Sequence, residues 1–207
     1  GLTLVFGVAS FANIAQVEFA TLGAYGTLLA GSVVGAGLIA DSVIAIVAVG
    51  ALAVLLYRTV FARLLRSSPA MAMIGSLAVS IVLRALIQTI TGPDPKELDT
   101  PLERGVDIAG ALMTPTQIRL VVIAVLALAA LMALLRLTPL GRAIRAVAAN
   151  PELAEAAGID RKRTTDIAWF ASGALGALAG VLLALDTQVG LNMGFNLLLP
   201  VFAAAIL

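Results

Sequence analysis

Three polar side chains fall within six residues of an otherwise apolar stretch: Asn13, Gln16 and Glu18 in Ala12-Asn13-Ile14-Ala15-Gln16-Val17-Glu18. Two amides and a carboxylate at that spacing can hydrogen-bond a solute, and a carboxylate in apolar surroundings can also serve proton or sodium coupling. Asp41 and Asp186 are carboxylates too, but they stand on separate segments with nothing in the sequence to pair them. Cys and His are both absent (Cys 0, His 0). That removes disulfides, thiol nucleophiles, zinc sites built on those ligands and imidazole acid–base chemistry. HExxH and GxSxG are missing, which argues against the competing class of an intramembrane enzyme. GxxxxGK[ST] is missing as well, so any ATP chemistry must occur on another chain. Gly35-Ala36-Gly37-Leu38-Ile39-Ala40-Asp41 imitates a dinucleotide fingerprint, but no strand precedes it. No catalytic residue, metal-ligand set or cofactor is expected. The net charge of +1 offers no bulk attraction for nucleic acid.

A second constellation runs from Thr138 to Arg163. With Arg136 at its edge it holds Arg142, Arg145, Arg161, Lys162 and Arg163, nearly half of the thirteen basic residues. Two short helices are predicted inside it. Gly141 precedes RAIRAVA, and Asn150-Pro151 starts the second as N-cap and first helical residue, with Gly158 ending it in a left-handed conformation. Glu152 and Glu155 lie in the first turns of that second helix, where negative charge suits the dipole. Arg142 and Arg145 are three apart and share a helical face. A pair of capped helices between two apolar segments reads as a docking element for a cytoplasmic partner, with binding to lipid headgroups as the simpler role.

The elements that must position these groups are membrane helices. The chain is 61% hydrophobic and 12% charged over 207 residues, where a soluble domain is about 45–50% apolar and about 25% charged. The apolar runs are too long and too uniform for barrel strands, so the expectation is an all-α polytopic bundle. Spans are predicted at 32–57, 69–91, 118–135 and 167–185, with a further one starting at Val201. Gly31 and Gly35 form a GxxxG pair, as do Gly176 and Gly180 beside Gly173, suited to close helix contact. Arg58, Arg63 and Arg66 in a linker without acids, and the basic residues around 138–163, put both connections in the cytoplasm. The Pro-rich acidic segment 92–117 and the connection 186–200 then lie outside; a short helix is expected near Leu102 to Met113. Arg84 is expected to snorkel to the outer interface, the sharper alternative being a cation that receives an anionic solute group. Residues 1–31 allow two readings: a surface loop around Asn13 joining two spans, or one helix broken at membrane depth, as at transporter substrate sites. The chain opens without Met and stops inside the apolar run VFAAAIL, so it reads as a piece of a longer protein.

Three stretches carry a resemblance. GLTLVFGVASFANIAQVEFATLGAY has an apolar segment, Asn-x-Ala, an acidic residue and then Leu-Gly-Ala-Tyr. GRAIRAVAANPELAEAAGID has Arg-Ala, Asn-Pro-Glu, Ala and Gly-Ile positions, and SGALGALAGVLLAL is followed by Met193-Gly194-Phe195. On these residues the chain resembles the LivH-type permease subunit of branched-chain amino-acid ABC importers. The resemblance implies a single, partial permease domain over 1–207 in the cell inner membrane, with cytoplasmic loop 138–165 and external loop 92–117. It implies two cytoplasmic ATP-binding subunits, a second related permease chain and a periplasmic or lipid-anchored solute-binding protein as partners, besides membrane lipid. By matching position, Gly141, Arg142, Arg145, Asn150, Pro151, Glu152 and Gly158 would belong to coupling helices. Asn13, Gln16, Glu18 and Thr21 would line or support the translocation path. Many relatives carry His-Gly where this chain has Gln16-Val17, so no pH-dependent role is carried over. The likeness extends to urea and short-amide permeases, which leaves those solutes as the alternative to branched-chain amino acids. An ion-coupled secondary transporter, with Glu18 as its carboxylate, is the remaining alternative.

Overall fold

The computed structural model describes residues 1–96, 98, 106–108 and 111–206. Its helix starts share a two-residue code. Ser68-Pro69, Thr114-Pro115, Thr138-Pro139 and Asn150-Pro151 each place a side-chain oxygen ahead of a proline at the start of a helix. The oxygen accepts a free backbone N–H of the first turn, and proline there forfeits no intrahelical bond. Thr114 completes a capping box, with Gln117 N donating to its hydroxyl at 3.2 Å and the Gln117 side chain accepting from Thr114 N at 3.2 Å.

Ten helices follow in chain order among the described residues: α1 (Leu2–Ala9), α2 (Glu18–Val33), α3 (Leu38–Leu56), α4 (Pro69–Thr91), α5 (Pro115–Leu137), α6 (Pro139–Ala149), α7 (Pro151–Ala156), α8 (Arg161–Asp186), α9 (Met193–Asn196) and α10 (Leu198–Ile206). A π-helical turn, Tyr57–Phe61, carries α3 on to Leu64. Leu38–Leu64, Pro69–Thr91, Pro115–Leu137 and Arg161–Asp186 are the 4 helices long and apolar enough to cross a bilayer. The chain is an all-α polytopic membrane protein.

Several boundaries move. α2 runs to Val33 rather than ending before Ser32, because the turn falls at Gly35 (φ 60) and Gly37 (φ 101), conformations glycine alone enters cheaply. Gly35 therefore serves the turn, and Gly31–Gly35 is not a helix-packing pair. Arg58 and Arg63 sit inside the extended α3 rather than in a linker. α6 starts at Pro139, capped by Thr138, so Gly141 lies inside the helix instead of ahead of it. Arg161, Lys162 and Arg163 belong to α8, which Asp160 caps through Arg163 N at 3.0 Å. In the acidic segment, β1 (Val106–Ile108) and β2 (Ala111–Met113) pair antiparallel, Asp107 opposite Leu112, where a short helix was expected. Residues 99–105, 109 and 110 lie outside the described ones.

The bundle centre is α2, α3 and α8, and small residues bring them together. A Cβ on Gly180 would fall inside the Ala20 backbone, one on Gly173 would meet Ala53 Cβ at 2.5 Å and Val49 O at 3.1 Å, and one on Gly176 would meet Phe19 Cβ at 3.0 Å. The predicted small-residue face of α8 is the surface against which both neighbours pack. Nearer the basic end, Trp169 stacks on Tyr57 and Phe61, with ring centroids 5.1 Å away in each case. Loops that charge assigns to one side do meet. Lys96 and Val189 exchange backbone hydrogen bonds of 2.9 and 2.7 Å, and Gln117 Nε2 donates to Asp186 Oδ1 at 3.2 Å. At the opposite end Arg58 holds Asp166, Nη2 to Oδ2 at 2.5 Å.

Gly180→Ala is expected to lower unfolding free energy by about 1–3 kcal/mol, the usual cost of overpacking a filled core. Gly190, with nothing within 4 Å of its Cβ position, should accept Ala within about 0.5 kcal/mol. Thermal or denaturant unfolding of the two variants in detergent checks the contrast.

Candidate functional site

Neither arm of the interrupted segment reaches across a bilayer. α1 has 8 residues and α2 has 16, which rise about 12 and 24 Å against a hydrocarbon core of about 30 Å. α1 ends at Ser10, in the left-handed conformation at φ 54. The chain then turns back through a 3₁₀ turn, Ile14–Val17, and enters α2. Phe11, Asn13, Ala15, Gln16, Val17 and Glu18 are all buried. The polar interruption is thus enclosed by the bundle and is not a surface loop. Backbone groups released by such a break need partners from protein. Ile14 N donates to Ser76 Oγ on α4 at 2.9 Å. Gln16 Nε2 donates to Ser172 O on α8 at 3.1 Å, and the Ser172 hydroxyl lies 3.0 Å from Gln16 Oε1 and 2.8 Å from Gly1 O.

The first residue of α2 carries the buried charge. Glu18 is 0% exposed and forms an ion pair through Oε1 with Arg84 Nη2; Arg84 is 25% exposed. Ser80 Oγ donates to the same carboxylate oxygen at 2.9 Å. Arg84 therefore turns into the bundle instead of snorkelling outward. An unpaired buried carboxylate costs several kcal/mol, and Ser80 and Arg84, one turn apart on α4, both reach it. The Arg84 guanidinium also lies 4.6 Å from the ring centroid of Phe195 on α9, a cation–π distance. Not every polar atom here is satisfied. Glu18 Oε2, Arg84 Nε and both side-chain polar atoms of Asn13 are buried without a hydrogen-bond partner among the described residues.

Thr21 anchors α9: its hydroxyl accepts from Gly194 N at 3.0 Å. A Cβ at Gly194 would run into the Val17 carbonyl, so glycine there lets α9 rest directly on the start of α2.

The other sequence-derived group lies at the basic end. α6 buries Gly141, Ile144 and Val147, three residues apart, and exposes Arg142 and Arg145. Its buried face packs on Leu4 and Val8 of α1. Arg145 bends back and donates through Nη1 to the Leu135 carbonyl near the end of α5. Thr138 joins the same two helices, donating to Leu134 O and accepting from Gly141 N at 3.1 Å. Asn150 caps α7 through Leu153 N at 3.0 Å, Pro151 opens it, and Gly158 (φ 84) follows its last turn. Glu152 and Glu155 are exposed. α1 connects the two groups: Leu4 and Val8 pack on α6, and the helix leads on into the polar break. Sequence reasoning missed Ser80, Ser172 and Phe195. For Ser80 a signal existed, since Ser76, Ser80 and Arg84 recur every four residues and make one polar column on an apolar helix.

The family model for the permease component of branched-chain amino acid transport systems matches residues 1–207. A protein of Methanocaldococcus jannaschii, described as a probable branched-chain amino acid transport permease protein LivH, is 29% identical over 217 residues, covering 100% of this chain and 67% of the relative. No solved structure matches the chain significantly.

Arg84→Met should destabilise the protein by about 3–5 kcal/mol, since it strands the Glu18 carboxylate. Adding Glu18→Gln should restore most of that loss. A double-mutant cycle on unfolding in detergent tests it; additive losses would mean that the pair is not coupled.

Proposed function

The chain belongs to the branched-chain amino acid transport permease family, and we propose that it is the membrane-spanning subunit of an ATP-driven importer of branched-chain amino acids. Its role is transport rather than catalysis, and it is a membrane protein. In this reading ATP is hydrolysed on two cytoplasmic subunits, a second related permease chain completes the pathway, and a periplasmic or lipid-anchored solute-binding protein delivers the solute. The chain then resides in the cell inner membrane, as one permease domain with loops 138–165 inside and 92–117 outside.

One observation carries the reading. α6, which presents Arg142 outward, packs on α1, and α1 runs straight into the buried break at Asn13, Gln16 and Glu18. A partner that binds α6 and α7 differently in its two nucleotide states biases their position. The displacement passes through α1 to the polar break, with no need to rearrange the α2–α8 contact. Asn13, Gln16, Glu18 and Thr21 then line or support the path, and Gly141, Arg142, Arg145, Asn150, Pro151, Glu152 and Gly158 form the ATPase-coupling element. Two of these, Glu152 and Arg142, offer opposite charges to a partner surface.

ATP-dependent uptake of labelled leucine by the full-length protein, reconstituted with its neighbouring ATPase, partner permease and binding protein, tests the reading. Unlabelled valine should compete; acidic amino acids and urea should not. Uptake of urea in place of leucine would keep the architecture and replace the substrate. Arg142→Glu should cut uptake at least about tenfold, the scale of one charged contact, while the ATPase subunits still hydrolyse ATP. Arg142 separates docking from folding better than Arg145, whose guanidinium also holds the Leu135 carbonyl. Normal uptake by the Arg142 variant would remove α6 from the coupling surface.

A further inference from the structure

We propose that Glu18 and Arg84 are the recognition site for the two charged ends of a zwitterionic α-amino acid, Glu18 receiving the ammonium and Arg84 the carboxylate. This rests on the import reading above and specifies the chemistry by which the path knows its solute.

The pair is under-used as it stands. One guanidinium nitrogen, Nη2, meets one carboxylate oxygen, Oε1. The other oxygen, Oε2, and the guanidinium Nε are buried and bond to nothing among the described residues. A guanidinium offers five donors in a planar fork, and its stronger engagement with a carboxylate uses two of them in parallel. A pair kept only for stability would gain by closing that second bond, and surrounding helices would supply what it lacked. Instead the site holds one unmet donor on the cation and one unmet acceptor on the anion. Those are the groups that a carboxylate and an ammonium need. The Asn13 amide, buried in the same break with donor and acceptor both free, adds a neutral group able to bond either end.

The sign of the ligand follows from the cost of parting the pair. A ligand with only a carboxylate would take Arg84 and leave Glu18 alone in an apolar interior; a cation would strand Arg84 in the same way. Urea has no charge to replace either partner. A zwitterion replaces both at once, so the pair opens without leaving a bare charge. Selectivity for zwitterions is then a property of the ion pair, and the apolar side chain of the solute is read elsewhere.

Access is set by α9. Phe195 lies over the guanidinium and is itself 46% exposed. α9 is fastened to α2 by the Gly194 N to Thr21 hydroxyl bond. Displacing Phe195 uncovers Arg84 from the side of the 186–200 connection, leaving the α2–α8 contact intact.

The test reads occupancy at Arg84 directly. In the assembled full-length complex, held without nucleotide and without the solute-binding protein, Phe195→Ala opens the guanidinium to phenylglyoxal, and mass spectrometry follows modification of Arg84. Leucine should slow that modification at least about tenfold, the scale of one charge-assisted bond. Leucinamide, which lacks the carboxylate, 4-methylpentanoate, which lacks the ammonium, and urea should leave the rate unchanged. Protection by 4-methylpentanoate equal to that by leucine would overturn the role of Glu18. No protection by leucine, in a complex whose wild type imports leucine, would overturn the site and leave the import reading standing. A wild-type complex that imports urea and not leucine would overturn the import reading first. Glu18→Gln supplies a second readout: KM for leucine should rise at least about tenfold with ATP hydrolysis retained, and an unchanged KM counts against the proposal. If that variant does not assemble, the protection pattern at Arg84 decides.

Discussion

Backbone-to-backbone contact between α2 and α8 is the constraint on which the rest depends. Helices in hydrocarbon gain nothing from burying apolar surface against one another, so association relies on close packing and on polar bonds between helices. Gly23, Gly176 and Gly180 supply the first, and Gln16 with Ser172 the second. Only because α8 lies that close to the start of α2 can the break at Ser10–Val17 be enclosed by protein. The same closeness puts the Glu18 carboxylate within reach of α4, where Ser80 and Arg84 meet it.

Magnitudes separate the two ion pairs found among the described residues. Arg58–Asp166 joins the π-turn after α3 to the start of α8, but Arg58 is 56% exposed. Water screens an exposed pair and leaves it little net stabilisation, so it helps fix register at that end more than it stabilises the bundle. Glu18–Arg84 is different in kind. A buried pair adds little net stability over apolar residues of the same volume, yet losing one member costs about 3–5 kcal/mol. Stability alone does not account for keeping it, which is why a functional role is the stronger explanation.

Much of this was legible in the chain. The spans and the Gly173-Gly176-Gly180 face follow from hydropathy and small-residue spacing, both local signals. The α7 caps at Asn150-Pro151 and Gly158 follow from residue type. What stayed hidden needed contacts distant in sequence. The partner of Arg84 lies 66 residues upstream, so periodicity placed the cation on a helix and could not say which way it faced. Snorkelling was the reasonable local expectation, and a buried carboxylate overrode it. Gly31 and Gly35 failed for a related reason: GxxxG spacing is the same whether both glycines pack a helix or the second ends one, and φ alone tells them apart. The antiparallel pair β1–β2 stands where a helix was expected because backbone pairing across Asp107 and Leu112, not helical propensity, orders those residues.

α5 has no buried residue along its length. Its ends are another matter. Gln117 bonds Asp186 at one, and Thr138 and Arg145 tie it to α6 at the other. Near the Thr138 end Leu131 and Leu135 also pack on the cluster of Leu4, Val8, Ile144 and Ala168. Farther along, a gap parts Ala124, Ala127 and Leu128 of α5 from Leu178, Ala179 and Leu182 of α8. α5 is therefore a strut, bonded at both tips and braced beside its elbow, whose middle stands off the α2–α3–α8 core.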